Sequence, residues 1–147
     1  MKRVWIAAGV LALGVSAVMA QQEVAVQQQN LMKAQGRSMY GVLNKMVKGE
    51  TPFDQAAADA ALKELADSVA KIPGVFATNP KEDVVNATFG SSQKIWQSKA
   101  DFDAKVPPVT KAIADAKVTD AASLKVAYDA IQAKCTDCHE AFRVKLK

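Results

Sequence analysis

Residues 120–145 read DAASLKVAYDAIQAKCTDCHEAFRVK. Leu124, Tyr128, Ile131, Cys135, Cys138 and Phe142 recur at spacings of three and four, which places them on one face of a helix. The spacing predicts a helix from Thr119 or Asp120, whose side chains suit an N-cap, to about Lys145. A helix with one apolar stripe is marginal alone in water and must bury that stripe against other elements. The fold follows from whether the rest of the chain supplies them.

It does, three times over. Residues 23–48 carry Met32, Gly36, Met39, Leu43 and Met46 at spacings of 4, 3, 4 and 3, and Gly49 ends the segment. A second helix is expected with Thr51 as N-cap, Pro52 at the first helical position and Asp54 in the first turn. Its stripe is Ala58, Leu62, Leu65, Val69 and Ile72, and Pro73-Gly74 stops it. Residues 75–90 form a long connection with a turn-prone Thr78-Asn79-Pro80. A third helix is expected after Ser91 or Ser92, with Ile95, Phe102, Val106, Val109, Ile113 and Ala116 inward. Pro107 and Pro108 should kink or split it, because each lacks an N–H and crowds the preceding turn. No segment alternates as a strand would. The expectation is all-α: an antiparallel up-down four-helix bundle.

The first 20 residues stand apart. Lys2 and Arg3 precede an apolar run from Val4 to Val15, too short to span a membrane, and Ser16-Ala17-Val18-Met19-Ala20 offers small residues for signal peptidase. We read residues 1–20 as a secretory signal peptide cleaved after Ala20, and 21–147 as one domain with one core. The product is expected in the periplasm, with no membrane association after cleavage. Removing Lys2 and Arg3 takes the formal net charge from +4 to +2. The remaining lysines are spread among acids, which argues against a nucleic-acid partner.

The chemistry sits in Cys135-Thr136-Asp137-Cys138-His139. Two thiols three residues apart on a helix face the same way, so each can add to one vinyl group of a haem. The histidine that follows projects its imidazole toward the iron. A zinc site would want about four ligands, and the chain holds two Cys and one His in total. A disulfide oxidoreductase would want this motif at a strand-to-helix turn, and no strand is expected. A structural disulfide across so small a loop would stabilise little. The motif therefore implies one covalent haem c, with His139 as axial ligand to the iron. His139 is the only histidine, so a second imidazole from the same chain is excluded. The sixth position falls to a methionine, a lysine or a small exogenous ligand, or it stays empty.

A haem motif in the last turns of a C-terminal helix, preceded by three others, resembles the class II c-type cytochromes, cytochrome c′ in particular. The resemblance covers essentially the whole mature chain. It is carried by Cys135, Cys138 and His139 followed by Glu140-Ala141-Phe142-Arg143, by Gln28-Gln29-Asn30-Leu31-Met32, by the Val47–Asp54 junction and by Ile95-Trp96. It implies a five-coordinate, usually high-spin haem in a bundle that often dimerises, binds nitric oxide and carbon monoxide, and is linked to nitric oxide tolerance. The family's distal side chain matches Met32, and Arg143 matches a residue beside the proximal ligand. Where the family usually has an arginine near a propionate, one turn before the distal residue, this chain has Gln28. A glutamine donates a hydrogen bond but carries no charge.

Bland readings stand beside these. Met32 and Gly36 also suit ordinary helix packing, Arg143 suits a last helical turn, and Trp96 and Phe142 suit a core as well as a haem wall. Lys134, Lys145 and Lys147 form a basic zone where an acidic redox partner could dock. The reading we adopt from the sequence is a gas-binding protein with iron five-coordinate through His139, Met32 packed over the distal face and a homodimer through the first two helices; the alternative is a low-spin electron carrier with the Met32 sulfur on the iron. An enzyme such as a peroxidase is not expected, because no second histidine is available as a distal acid–base group.

Overall fold

Helix one is a continuous rod in three parts: α1 (Ala8–Gly36), a π-helical segment (Arg37–Leu43) and α2 (Asn44–Val47). The structure is a computed structural model that describes residues 8–146, with side chains from residue 22 onward. The expected basic start, Lys2 and Arg3, lies outside the described residues, and the expected cleavage point after Ala20 falls inside α1. Gly49, at φ +70°, closes the rod. Its N–H donates to Met46 O (3.1 Å) and that of Glu50 to Lys45 O (2.8 Å), the paired bonds of a left-handed C-terminal cap. The π turn was not foreseen. It widens the helix by one residue, so Ser38 and Met39 are both buried ahead of Leu43 and Met46.

Helix two, α3 (Gln55–Val69), starts three residues later than expected. The N-cap is Asp54, whose carboxylate accepts from Ala57 N at 2.8 Å, and not Thr51. Thr51 still belongs to the end of helix one, since its N–H donates to Lys45 O (3.3 Å). A helical turn, α4 (Ile72–Val75), follows and contains Pro73 and Gly74.

Helix three is divided, as the prolines require, and more than they require. α5 (Lys94–Gln97) and α6 (Lys99–Asp103) meet at Ser98, whose φ −130°, ψ 55° breaks the helix. α7 (Val106–Ala114) then carries Pro107 and Pro108 in its first turn, where a missing N–H costs nothing. Helix four, α8 (Ala121–Phe142), opens on a capping box: Asp120 Oδ1 accepts from Ser123 N (2.7 Å), and Ser123 Oγ accepts from Asp120 N (3.0 Å).

α8 ends at Phe142, not Lys145. Arg143–Lys145 is a strand, β2, antiparallel to β1 (Phe89–Ser91) in the long connection. The expectation of no strand is thus corrected. Three residues per strand show no alternation to read, and the pairing joins segments more than 50 residues apart.

α3 packs on helix one and on α7, α7 packs on α8, and α8 closes the ring against α2 and the π segment. Each helix therefore neighbours its predecessor, and the fourth returns to the first: the up-down four-helix bundle. Leu43, Leu65, Val69, Ile95, Leu124 and Ile131 are its largest fully buried aliphatic side chains. No helix among the described residues is long and apolar enough to cross a membrane.

Candidate haem-attachment site

The site is built on the last two turns of α8. Cys135, Cys138 and His139 are half-buried on the side of the helix that continues the core face of Leu124, Tyr128 and Ile131. Both thiols are free. Burial, then the neighbouring Cys138, pushes the Cys135 thiol up to about 11, and burial also raises Cys138. His139 is held below the usual imidazole value by burial first and by the Arg143 guanidinium second. A neutral imidazole with a free lone pair is the form that ligates a metal. Among the described residues no three His, Cys, Asp or Glu side chains converge on a common point, so the zinc reading has no support here.

Across from α8, helix one presents Ala25, Gln28, Met32 and Gln35 on one side. Met32 is half-buried against the core. One turn on, Gly36 has no atom within 4 Å of where a Cβ would sit. α1 makes its main contacts with α3, α4 and the π segment, whereas α8 meets helix one chiefly through α2 and the π segment. Gly36 thus leaves open space on its own side of helix one. Gln35 adds a second sign of fit, because its Nε2 is buried without a hydrogen-bond partner. A buried donor without an acceptor is costly, and the carboxylate of a haem propionate is a suitable one. Two free thiols, an imidazole held below its usual value and a buried unpartnered donor fit a covalent haem.

A family profile described as Cytochrome C′ matches residues 23–143. The chain belongs to the cytochrome c′ family. It is 61% identical to cytochrome c-555 of Bradyrhizobium diazoefficiens over 100% of both chains, and 43% identical to cytochrome c-556 of Rhodopseudomonas palustris over 99% of both. The solved structure of cytochrome c′ from R. palustris superposes with a TM-score of 0.74 at 32% identity, covering 84% of this chain and 98% of that one. As a member of the cytochrome c′ family the protein carries haem c covalently, and its Cys135-Thr136-Asp137-Cys138-His139 run is consistent with the attachment motif.

The other expected residues divide. Gln28 is bonded within the protein itself. It is 3% exposed, its Nε2 donates to Val75 O (3.2 Å) and Thr78 O (2.9 Å), and its Oε1 accepts from Ser91 Oγ (3.3 Å). Two carbonyls at one end and a hydroxyl at the other leave it nothing to offer a cofactor. The free donor on that side of helix one is Gln35. Trp96 is half-buried and donates its indole N–H to Phe76 O at 3.0 Å, an anchor for the connection. Phe142 is a core aromatic, edge-on to Phe102 with ring centroids 5.3 Å apart. Arg143 lies beyond the helix, with its guanidinium 4.3 Å from the Phe89 ring centroid, yet close enough to act on His139.

Two features escaped the sequence reading. Lys105 Nζ reaches Asp137 Oδ2 at 2.7 Å, tying the α6–α7 turn to the middle of the haem motif. The Ser91 hydroxyl joins β1 to helix one. Both pairs are far apart in sequence, and neither side chain carries a local signal.

Proposed function

We propose that this protein is an exported one-electron carrier in which His139 and Met32 are the two axial ligands of the haem. The observation that carries this reading is Met32 itself, half-buried and packed on the core between the anchored Gln28 and the open space at Gly36. A thioether is a soft donor on a flexible stem, suited to haem iron. Lys33, its neighbour, is exposed and bonded to Gln29 Oε1 (2.8 Å), so the nearest lysine is directed elsewhere. The haem, when bound, supplies the one-electron chemistry. The chain's residues hold it, keep the imidazole neutral and hold the sulfur in place. The greater likeness to the relatives named c-555 of B. diazoefficiens and c-556 of R. palustris than to the two named c′ also supports this reading.

The test is one set of optical spectra on the holo-protein, ferric and ferrous, with and without carbon monoxide. Expected is a low-spin ferric spectrum with the near-infrared sulfur-to-iron band, lost in Met32→Ala. A high-spin resting spectrum unchanged by Met32→Ala would overturn it. The five-coordinate, gas-binding form is then the function, a reading favoured by the family as a whole and by the open space at Gly36. In that form Met32 only covers the distal face, and nitric oxide and carbon monoxide displace it.

Two further parts of the reading have their own support. A second copy of the chain would seat on the shallow groove between α1 and α3, where Leu31, Ala34 and Ala60 lie open beside charged Lys63 and Asp67. Sedimentation at micromolar concentration should then show a dimer, and a monomer throughout would refute it. Exposed Lys134 and Lys145 suit an acidic redox partner, whereas Lys147 lies outside the described residues.

A further inference from the structure

The long connection between helices two and three is fastened at both ends to the two sides of the haem site. On the distal side, Gln28 sits one turn before Met32 and is buried. It takes up the carbonyls of Val75 and Thr78 and the hydroxyl of Ser91, partners 47, 50 and 63 residues away. The Trp96 indole takes the intervening Phe76 carbonyl, and the Phe76 ring packs on Phe102 at 5.3 Å. On the proximal side, Ser91 pairs with Arg143 in the two-stranded ladder, and Ser92 N donates to Phe142 O at 2.9 Å. The Arg143 N–H in turn donates to the carbonyl of His139. A series of hydrogen bonds and peptide links therefore runs from the helical turn of Met32, through Gln28, Ser91–Ser92 and Phe142–Arg143, to the backbone of His139.

We infer that Gln28 is a positioning residue: through the 75–91 connection it fixes the Met32 turn of helix one relative to the His139 turn of helix four, and so holds the thioether at the distal face. This rests on the reading of Met32 as a ligand, though a Met32 that only covers the iron would be held by the same strap. The physical case is the location of the bonds. Where the strap runs, α1 and α8 are not each other's main packing partners. Contact between them is sparse, so side-chain packing alone cannot set their spacing. Hydrogen bonds in a buried, water-poor setting are directional and costly to leave unmade, and Gln28 makes three.

The experiment compares holo-protein carrying Gln28→Leu, Ser91→Ala or the exposed control Gln27→Leu with the parent. The readouts are the near-infrared sulfur-to-iron band of the ferric form, the carbon monoxide association rate of the ferrous form, and limited proteolysis within 75–91. Gln28→Leu strands the part-buried carbonyls of Val75 and Thr78, so carbon monoxide association should quicken by about tenfold, with loss of much of the band and faster cleavage of the connection. Ser91→Ala removes a single bond and keeps the fold, and should move the same readouts the same way by a smaller factor. It decides the matter if Gln28→Leu fails to load haem. Gln27→Leu should change nothing. If cleavage quickens in both variants while the band and the carbon monoxide rate stay at parent values, the strap is merely structural and the inference is overturned. If the parent shows no band, the ligand reading fails by itself. Faster carbon monoxide association in Gln28→Leu and Ser91→Ala would still support positioning of Met32, and unchanged rates would end it.

Discussion

Gln28 and Met32, one turn apart on helix one, show how far a residue's type foretells its work. A methionine on an inner stripe is legible as a possible ligand or core residue. A glutamine at a position where the resemblance implies a charged side chain invites the same cofactor role, yet its amide is taken up by backbone far along the chain. Gln28→Leu should also lower the stability of the apo-protein, by about 1–3 kcal/mol for the stranded carbonyls, measured by urea unfolding. Leu124 offers a comparison without polar atoms. It is fully buried, so Leu124→Ala should cost about 2–5 kcal/mol through lost burial and a cavity. Cys135→Ala should leave the haem joined through Cys138 alone, and the mass of the denatured protein should still include one haem. Loss of all haem from that variant in maturation-competent cells would show that the two thiols act only together.

Elements begin and end where backbone groups find partners, and here local chemistry was partly readable. Gly49 was legible because its left-handed conformation excludes a side chain at low cost. Gly49→Ala should destabilise by about 1 kcal/mol, seen as a lower melting temperature. The start of helix two was misread because Thr51 and Asp54 are both good caps. The choice fell to Asp54 once Thr51 N–H closed the preceding helix. The cap of helix four carries a pH dependence. The backbone N–H of Ser123, then its hydroxyl, holds the Asp120 carboxyl below its ordinary value of 3.8. A depressed carboxylate contributes its stability above that value and loses it as pH falls through the lower, folded one. Amide exchange at Ser123 should therefore gain protection above about pH 4 and lose it in stronger acid, with Asp120→Asn muting the dependence. An acid-insensitive amide in the parent would count against the cap.

At the scale of the whole molecule, the bundle was legible because four stripes of near-3.5 spacing have few other ways to leave water. Haem attachment was legible because Cys135, Cys138 and His139 are held in register by a single helix, and covalent chemistry needs no distant partner. The division of helix three at Pro107 and Pro108 was legible for a like reason: a proline ring acts on its own turn. What the tertiary structure alone decided lies between elements. The end of helix four at Phe142 depends on β1 arriving from the 75–91 connection, and the three-residue strands have no pattern of their own. The ion pair of Lys105 with Asp137 and the bonds of Gln28 with Val75, Thr78 and Ser91 join residues separated by 32 to 63 positions. Sequence spacing reports neighbours along a helix, because helical geometry repeats. It does not report which carbonyl a folded chain brings to a glutamine, because that meeting exists only after the apolar faces have packed.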